Sequence, residues 1–196
     1  MELNLKITGL NKVINFLNPQ AQRTILMRTF NKLGDKIFTQ SKRYIRDTYN
    51  VQVPQSSYKI SKQKATPEDI TFRLKADYQL INVLKYFKAK QNTQGLTFQI
   101  IKGGKTITIH SGFIATPHGR NYSKRGQSRQ VAQGSPVPFK RIGKSAYPLA
   151  LVTGLSFGKM IDNKKILKQD QDLVDREGPG ILQHEIDFYL SSNKRD

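Results

Sequence analysis

The sequence predicts an α+β protein: a small antiparallel sheet packed against a long N-terminal amphipathic helix, with a C-terminal helix closing the chain. Three patterns predict it. A helical apolar period of about 30 residues begins at an N-cap and proline pair, a period-two alternation recurs in several short segments, and a second helical period ends the chain.

Leu3, Leu5 and Ile7 alternate with polar residues up to Thr8-Gly9, which reads as a short half-buried strand or an extended arm. Asn11–Leu17 is expected to add a helical turn or two. Asn18 then offers a side-chain oxygen to cap a helix, and Pro19 sits at the first helical position, where its missing N–H costs nothing. Leu26, Phe30, Leu33, Ile37, Tyr44 and Ile45 follow at steps of three and four, with Ser41 filling the one polar slot of that stripe. The helix is expected to end near Tyr49, because Val51-Gln52-Val53-Pro54 is extended and pre-proline. At 1.5 Å per residue it is roughly 45 Å long, enough for one end to project toward another subunit.

Tyr58–Lys64 is expected as a short helix, and Thr66-Pro67-Glu68-Asp69 as a turn or helix start. Ile70, Phe72, Leu74 and Ala76 alternate with polar residues and predict a strand. Leu80–Phe87 reads as a short helix or turn. Leu96, Phe98 and Ile100 lead into Lys102-Gly103-Gly104-Lys105, with Ile107 and Ile109 beyond, which predicts a hairpin closed by a tight glycine turn. Phe113–Thr116 is a further strand. The sheet is therefore expected from segments 70–76, 96–102, 105–110 and 113–116. Residues 117–135 hold almost no apolar side chain and read as a loop. Pro136–Phe139 resumes extended structure, Leu149–Ile161 is expected to become helical by about Gly154, and a final amphipathic helix is expected from about Gly180 to Ser191. Its apolar face carries Leu182, Ile186, Tyr189 and Leu190. The expected division is one α+β domain over 1–165, including the basic loop, and a helical extension over 166–196.

Charge is the strongest functional signal. The chain carries 33 Lys and Arg against 14 Asp and Glu. From Tyr78 to Ile161 there is no acid at all, yet thirteen basic residues. Soluble surfaces ordinarily mix both signs, because a one-sign field repels itself and attracts unwanted partners. Such a segment points to an anion: nucleic acid, an acidic membrane surface or an acidic protein. Residues 151–196, with seven basic and eight acidic groups, are close to neutral.

Cysteine is absent, which removes disulfides, thiolate metal sites and cysteine nucleophiles. No run approaches the roughly 20 apolar residues that span a bilayer, and Met1–Lys6 lacks a secretory apolar core, so the chain is expected to be made and used in the cytoplasm or in something assembled there. His110, His118 and His184 show no metal-ligand spacing. Asp170, Asp172, Asp175 and Glu177 precede Gly178-Pro179-Gly180 and read as a solvated loop or helix start. With no acid, base and nucleophile in one constellation, the expectation is no enzyme, no cofactor and no metal. The Gly103-Gly104 pair lacks the spacing of a phosphate-binding loop and reads as a hairpin tip. Arg120, Tyr122, Lys124, Arg125 and Arg129 mix cations with an aromatic on a glycine-bearing segment, which either follows a phosphate backbone without reading bases, is a solvated loop, or orders against a neighbouring subunit.

Three blocks occur in an order and spacing that resemble the prophage minor tail protein Z family, the tail completion proteins of long-tailed bacteriophages. The first runs from Phe30-Asn31-Lys32-Leu33 through Arg43-Tyr44-Ile45-Arg46-Asp47-Thr48-Tyr49-Asn50-Val51. The second is Asn82-Val83-Leu84-Lys85-Tyr86-Phe87-Lys88-Ala89-Lys90-Gln91, continuing through Lys102-Gly103-Gly104-Lys105 to Gly112-Phe113-Ile114-Ala115. The third is Pro136-Val137-Pro138-Phe139-Lys140-Arg141-Ile142 through Tyr147-Pro148-Leu149. The likeness covers roughly residues 25–165. It departs from the family in the longer, more basic 117–135 segment, and in Lys144-Ser145-Ala146-Tyr147-Pro148 where the family has a Gly-Pro-Ser-like turn.

The resemblance implies a non-enzymatic virion component of the tail or neck, assembled in the host cytoplasm and acting in tail completion and head–tail joining. It implies a homo-oligomeric ring, expected sixfold, around the DNA channel. Other tail, tail-terminator or neck proteins would be its neighbours, with non-specific contact to genomic DNA and no membrane. In that picture Arg120, Lys124, Arg125, Arg129, Lys140, Arg141 and Lys144 face the DNA or an acidic partner. Leu182, Ile186 and Tyr189 pack on the chain's own core or on an adjacent subunit. The alternative is a free, non-specific nucleic-acid-binding protein; an anionic-membrane binder is the weaker third reading.

Overall fold

Asn18 caps the first helix as its side chain allows: its Oδ1 accepts from Ala21 N at 2.7 Å and its carbonyl from Gln22 N at 3.0 Å. Helix α1 follows as Pro19–Thr48. The computed structural model of the chain describes residues 18–116, 122–124, 127–129 and 135–192. The fold is mixed α+β, with long helices near each end of the described chain and small antiparallel sheets between them. The expected elements before Asn18 lie outside the described residues.

After α1 come β1 (Ile60–Gln63), β2 (Arg73–Ala76), α2 (Val83–Phe87), β3 (Lys90–Asn92), β4 (Gly95–Phe98), β5 (Ile107–Ile109) and β6 (Gly112–Ala115). Then follow β7 (Tyr122–Lys124), β8 (Gln127–Arg129), β9 (Val137–Arg141), β10 (Leu149–Leu151), α3 (Phe157–Ile161) and α4 (Lys164–Ser192). The chain divides into two units. The first comprises Met1–Ile45, Lys59–Asp77 and Gly158–Asp196; the second comprises Arg46–Tyr58 and Tyr78–Phe157.

Within the first unit, α1 and α4 run antiparallel, since Ile25 packs with Leu182 and Ile186 while Ser41 meets Asp170. The buried residues of α1 form a row at steps of four: Ala21, Ile25, Thr29, Leu33, Ile37, Ser41 and Ile45, with Gly34 beside it. The predicted stripe was therefore turned slightly: Leu26, Phe30 and Tyr44 are only half-buried. Small residues in the row allow a neighbour to approach closely, which larger side chains one position on would prevent.

Two expectations about this unit needed correction. Residues 60–63 form a strand, not a helix, because β1 pairs antiparallel with β2 from Ile60↔Ala76 to Gln63↔Arg73. Asp69 N donates to Thr66 Oγ1 at 3.1 Å and Thr66 N to Asp69 O at 2.9 Å, closing the turn between them. The C-terminal helix begins at Lys164 and continues through Pro179 to Ser192, so the acidic residues before Gly178 are helical. Pro179 has no N–H for the carbonyl four residues earlier, a loss this helix accommodates between two glycines. Leu173, Val174, Leu182 and Ile186 of α4 are core residues, the last two packed with Ile25 of α1.

The predicted single sheet is four separate small ones, ordered β1-β2, β3-β4-β5, β10-β9-β6 and β7-β8. Period-two alternation fixes which face of a strand is apolar but not which strand it joins. Segment 70–76 pairs with β1 in the first unit, and segment 113–116 pairs with β9 as Phe113↔Phe139 and Ala115↔Val137. The reading of 117–135 as loop is likewise corrected in part: β7 and β8 pair as a hairpin, with Tyr122↔Arg129 and Lys124↔Gln127. Leu149–Leu151, ahead of the helix expected by about Gly154, is a strand beside β9, and α3 follows at Phe157–Ile161.

The second unit centres on Phe87, Leu96, Phe139 and Phe157, each at most 2% exposed. Tyr58 stacks on Phe157 at 4.9 Å and Tyr86 meets the same ring edge-on at 5.5 Å. Asn82 starts α2 by accepting from Leu84 N at 2.8 Å. Gly95 has φ +123°, and a Cβ there would lie 2.2 Å from Ile109 O, so only glycine lets β4 approach β5 at this point.

Asp170 is fully buried, with Oδ2 2.8 Å from Ser41 Oγ and Oδ1 lacking a hydrogen-bond partner among the described residues. Burial pushes its carboxyl from 3.8 up to about 6, partly opposed by the Ser41 hydrogen bond. The folded state thus holds this proton more tightly than the unfolded chain. The group's contribution is fully present below pH 3.8, is lost as pH rises through about 6, and amounts to roughly 3 kcal/mol at 1.36 kcal/mol per unit. Asp170→Asn is therefore expected to raise stability at pH 8 by about 1–3 kcal/mol and to remove the fall in stability between pH 4 and 6. Urea unfolding across that range checks it; an unchanged slope in the variant refutes the assignment. Gly95→Ala is expected to lower stability by more than about 2 kcal/mol. Gly103→Ala, where a Cβ meets nothing within 4 Å, should cost only about 1–2 kcal/mol from its positive φ. Comparison of the two denaturation midpoints distinguishes the steric from the conformational cost.

Candidate polyanion contact surface

The division into units sorts the charge. The second unit's sequence holds thirteen Lys and Arg and a single acid, Asp47. The remaining acids lie in the first unit, where ion pairs form between Lys36 and Glu177 at 2.6 Å, Lys59 and Asp77 at 3.0 Å, and Lys64 and Asp35 at 3.1 Å. Lys32–Glu185, Lys62–Asp35 and Arg73–Asp69 join them in that unit. The cations of the second unit that the structure describes have no such partners.

The hairpins of the second unit present these cations. Between β4 and β5 the chain does not make the tight turn predicted for it. It leaves the strand after Phe98 and returns at Ile107, because residues 100–102 are taken up by the end of α1 and the residues that follow it. Asn50 N donates to Ile100 O at 2.8 Å, Lys102 N to Thr48 O at 3.1 Å, and Tyr49 bridges to Ile101. The Gly103-Gly104 pair turns the chain beyond this anchor, with Gly103 at φ 67° and Gly104 N donating to Ile101 O at 3.0 Å. Gln99 Nε2 donates to Gly104 O and braces the tip. Lys102 and Lys105 stand exposed on either side.

The β9–β10 loop is more open. Every residue from Lys140 to Pro148 is exposed, and the loop is closed at its base where Ile142 N donates to Pro148 O at 3.2 Å. Lys140 and Arg141 are consecutive on β9 and so leave opposite faces of the sheet, while Lys144 lies in the loop. Arg141 is steadied over the Phe113 ring at 5.1 Å, and Lys85 lies 5.5 Å from the Tyr86 ring centre. Ile142 and Tyr147 are 64% and 72% exposed beside these cations, high for large apolar side chains. The loop therefore offers apolar as well as electrostatic contact.

Of the residues the sequence singled out, Lys140, Arg141 and Lys144 share one strand and its loop. Lys124 and Arg129 lie on the β7–β8 hairpin, and the positions of their side chains, like Arg120 and Arg125 altogether, lie outside the described residues. Leu182 and Ile186 are buried against Ile25, and Tyr189 is packed half-buried on the same cluster, so the first of the two expected roles, packing on the chain's own core, is the one their positions serve. Sequence reading missed the burial of Asp170, although Ser41 on the apolar stripe was a signal that something polar faces it. Among the described residues there is no group of three His, Asp or Glu placed to hold a metal ion, and no helix long and apolar enough to cross a membrane. The chain matches no family model, no curated protein and no solved structure.

Lys140→Gln combined with Lys144→Gln is expected to raise the melting temperature of the isolated chain at low salt, by an amount equivalent to a few tenths of a kcal/mol. The gain should vanish near 1 M salt, because these cations only repel their neighbours and screening removes repulsion. Thermal melts at two ionic strengths check it, and a loss of stability at low salt would show that the lysines hold structural partners.

Proposed function

We propose that this chain is a non-enzymatic structural protein of a bacteriophage tail or neck, acting in tail completion and head–tail joining as a ring around the DNA channel. The observation that carries the reading is the charge segregation: one unit with thirteen cations against one acid, joined to a unit that holds the other thirteen acids, several of them in ion pairs, against twenty cations. A protein lining a DNA path needs a cationic surface toward phosphate and a more evenly charged part for contact with its own kind. The resemblance of residues 25–165 to the tail completion proteins supports the same assignment. The long α1 helix and exposed Ile142 and Tyr147 supply surfaces suited to protein neighbours.

In this reading Lys140, Arg141 and Lys144, with Arg120, Lys124, Arg125 and Arg129, meet DNA or an acidic neighbour. The contacts follow backbone charge, not base sequence, since no recognition helix, zinc finger or aromatic RNA-binding motif is present in the sequence. The expected result is a sixfold ring at the head-proximal end of purified tails, seen by electron microscopy, with the chain detected in mature particles by mass spectrometry. Absence from mature particles refutes the assignment. Tight, salt-sensitive binding of a monomer to duplex DNA, together with that absence, would favour the free nucleic-acid-binding protein instead.

A further inference from the structure

An open cleft of about 330 Å³ lies in the second unit, away from the β9–β10 loop residues considered above. Its floor is Phe87 and Phe98, both buried, and its walls include Lys88, Lys90, Asn50 and Thr106. Among the described residues no carboxylate lines it. The polar groups are placed to donate. Gln52 Nε2 donates to Asn50 Oδ1 at 2.5 Å, which occupies the acceptor side of that amide and leaves Asn50 Nδ2 available. Lys88 and Lys90 are exposed and have no ion-pair partner among the described residues.

Lys88 itself is the second observation. It terminates α2 in the left-handed region at φ 46°, ψ 47°, with its own N–H and that of Ala89 both donating to Val83 O. This is the helix-ending position at which glycine predominates, because a Cβ there crowds the following carbonyl. It is the one non-glycine residue with positive φ among the described residues. Lys88 thus stands where glycine would be easier and lines the cleft.

We propose that this cleft seats a phosphate of a nucleic-acid backbone, held by Lys88 and Lys90 with Asn50 Nδ2 and the Thr106 hydroxyl as neutral donors. A phosphodiester presents acceptor oxygens in several directions, which suits donors arriving from the end of a helix, a strand and two loops; a lone carboxylate presents two in one plane. The site rests on the DNA-facing part of the proposed function and adds to it a defined seat, distinct from the arginine- and lysine-bearing segments after residue 117.

Glycine at position 88 separates the two roles. Lys88→Gly in the full chain should melt no lower than wild type, because it relieves the left-handed strain. It should nevertheless bind a fluorescent DNA duplex roughly tenfold more weakly near 0.1 M salt, with the salt dependence reduced by about 0.9 log unit per log unit. Lys90→Gln should weaken binding similarly, and Lys165→Gln, an exposed cation of the other unit, should have little effect. Three outcomes overturn the proposal: unchanged DNA affinity in Lys88→Gly, an equal loss in Lys165→Gln, or a Lys88-dependent thermal shift with inorganic phosphate or polyglutamate in a chain that does not bind DNA. Retained DNA binding in Lys88→Gly removes this seat while leaving the tail reading intact; absence of the chain from particles removes the tail reading while leaving the duplex measurement to stand.

Discussion

A unit that carries thirteen cations and one carboxylate cannot neutralise itself, and much else in this molecule answers to that constraint. Two cations 10 Å apart in water repel by about 0.4 kcal/mol before screening, and each further cation adds to the sum. The unit folds against this through its aromatic centre. Phe87, Phe139 and Phe157 are essentially fully buried, and each contributes about 2–3 kcal/mol by leaving water. The cations that the structure describes there are exposed, where the dielectric is high. Arg141 and Lys85 lie against aromatic faces. Core burial wins, but the margin depends on ionic strength.

The first unit shows the opposite arrangement. Its two long helices are tied by ion pairs at their exposed edges and by a polar contact in their buried seam. Ser41 and Asp170 are there in place of a leucine and an alanine that would pack more simply. A buried carboxyl with one unpartnered oxygen costs stability, and such a cost is commonly kept for the sake of a single alignment. Antiparallel helices with a four-residue row of small and apolar side chains could slide by a turn with little loss of burial. A hydrogen bond available in one register only removes that freedom.

Much of this fold was legible from local chemistry. Asn18-Pro19 announced α1, since caps are decided by the residues beside them, while the α2 segment reads only as a short helix or turn. The strands at β2, β4 and β5 followed from alternation, and the segments of β6 and β9 read as extended. What the sequence could not show was pairing. Residues 60–63 contain one apolar side chain and become a strand only because β2 lies alongside. The start of α4 was hidden because four acids followed by Gly-Pro-Gly carry the signature of a loop, while the burial that overrides it comes from α1, more than a hundred residues away. The long β4–β5 loop was hidden for the same reason: its residues are taken by the end of α1. On the candidate surface the charge was legible and its distribution over hairpins was not. Lys88 gave no sign, because nothing in a sequence marks a lysine that adopts a glycine's backbone conformation.

A ligand that binds only the folded form adds its binding energy to stability, and for the second unit that linkage acts on the term which opposes folding. Each phosphate brought against the hairpins cancels repulsion as well as forming a contact, so binding and folding reinforce each other there. The first unit, with twenty cations against thirteen acids and several ion pairs, gains less from the same anion. On the proposed reading, a unit whose repulsion a polyanion relieves is joined to one that depends on it less, and the latter can be placed before the polyanion arrives. That order suits a component assembled first and threaded by nucleic acid afterwards. It suits a free nucleic-acid-binding protein less well, since such a protein needs no second, less basic unit to hold its place.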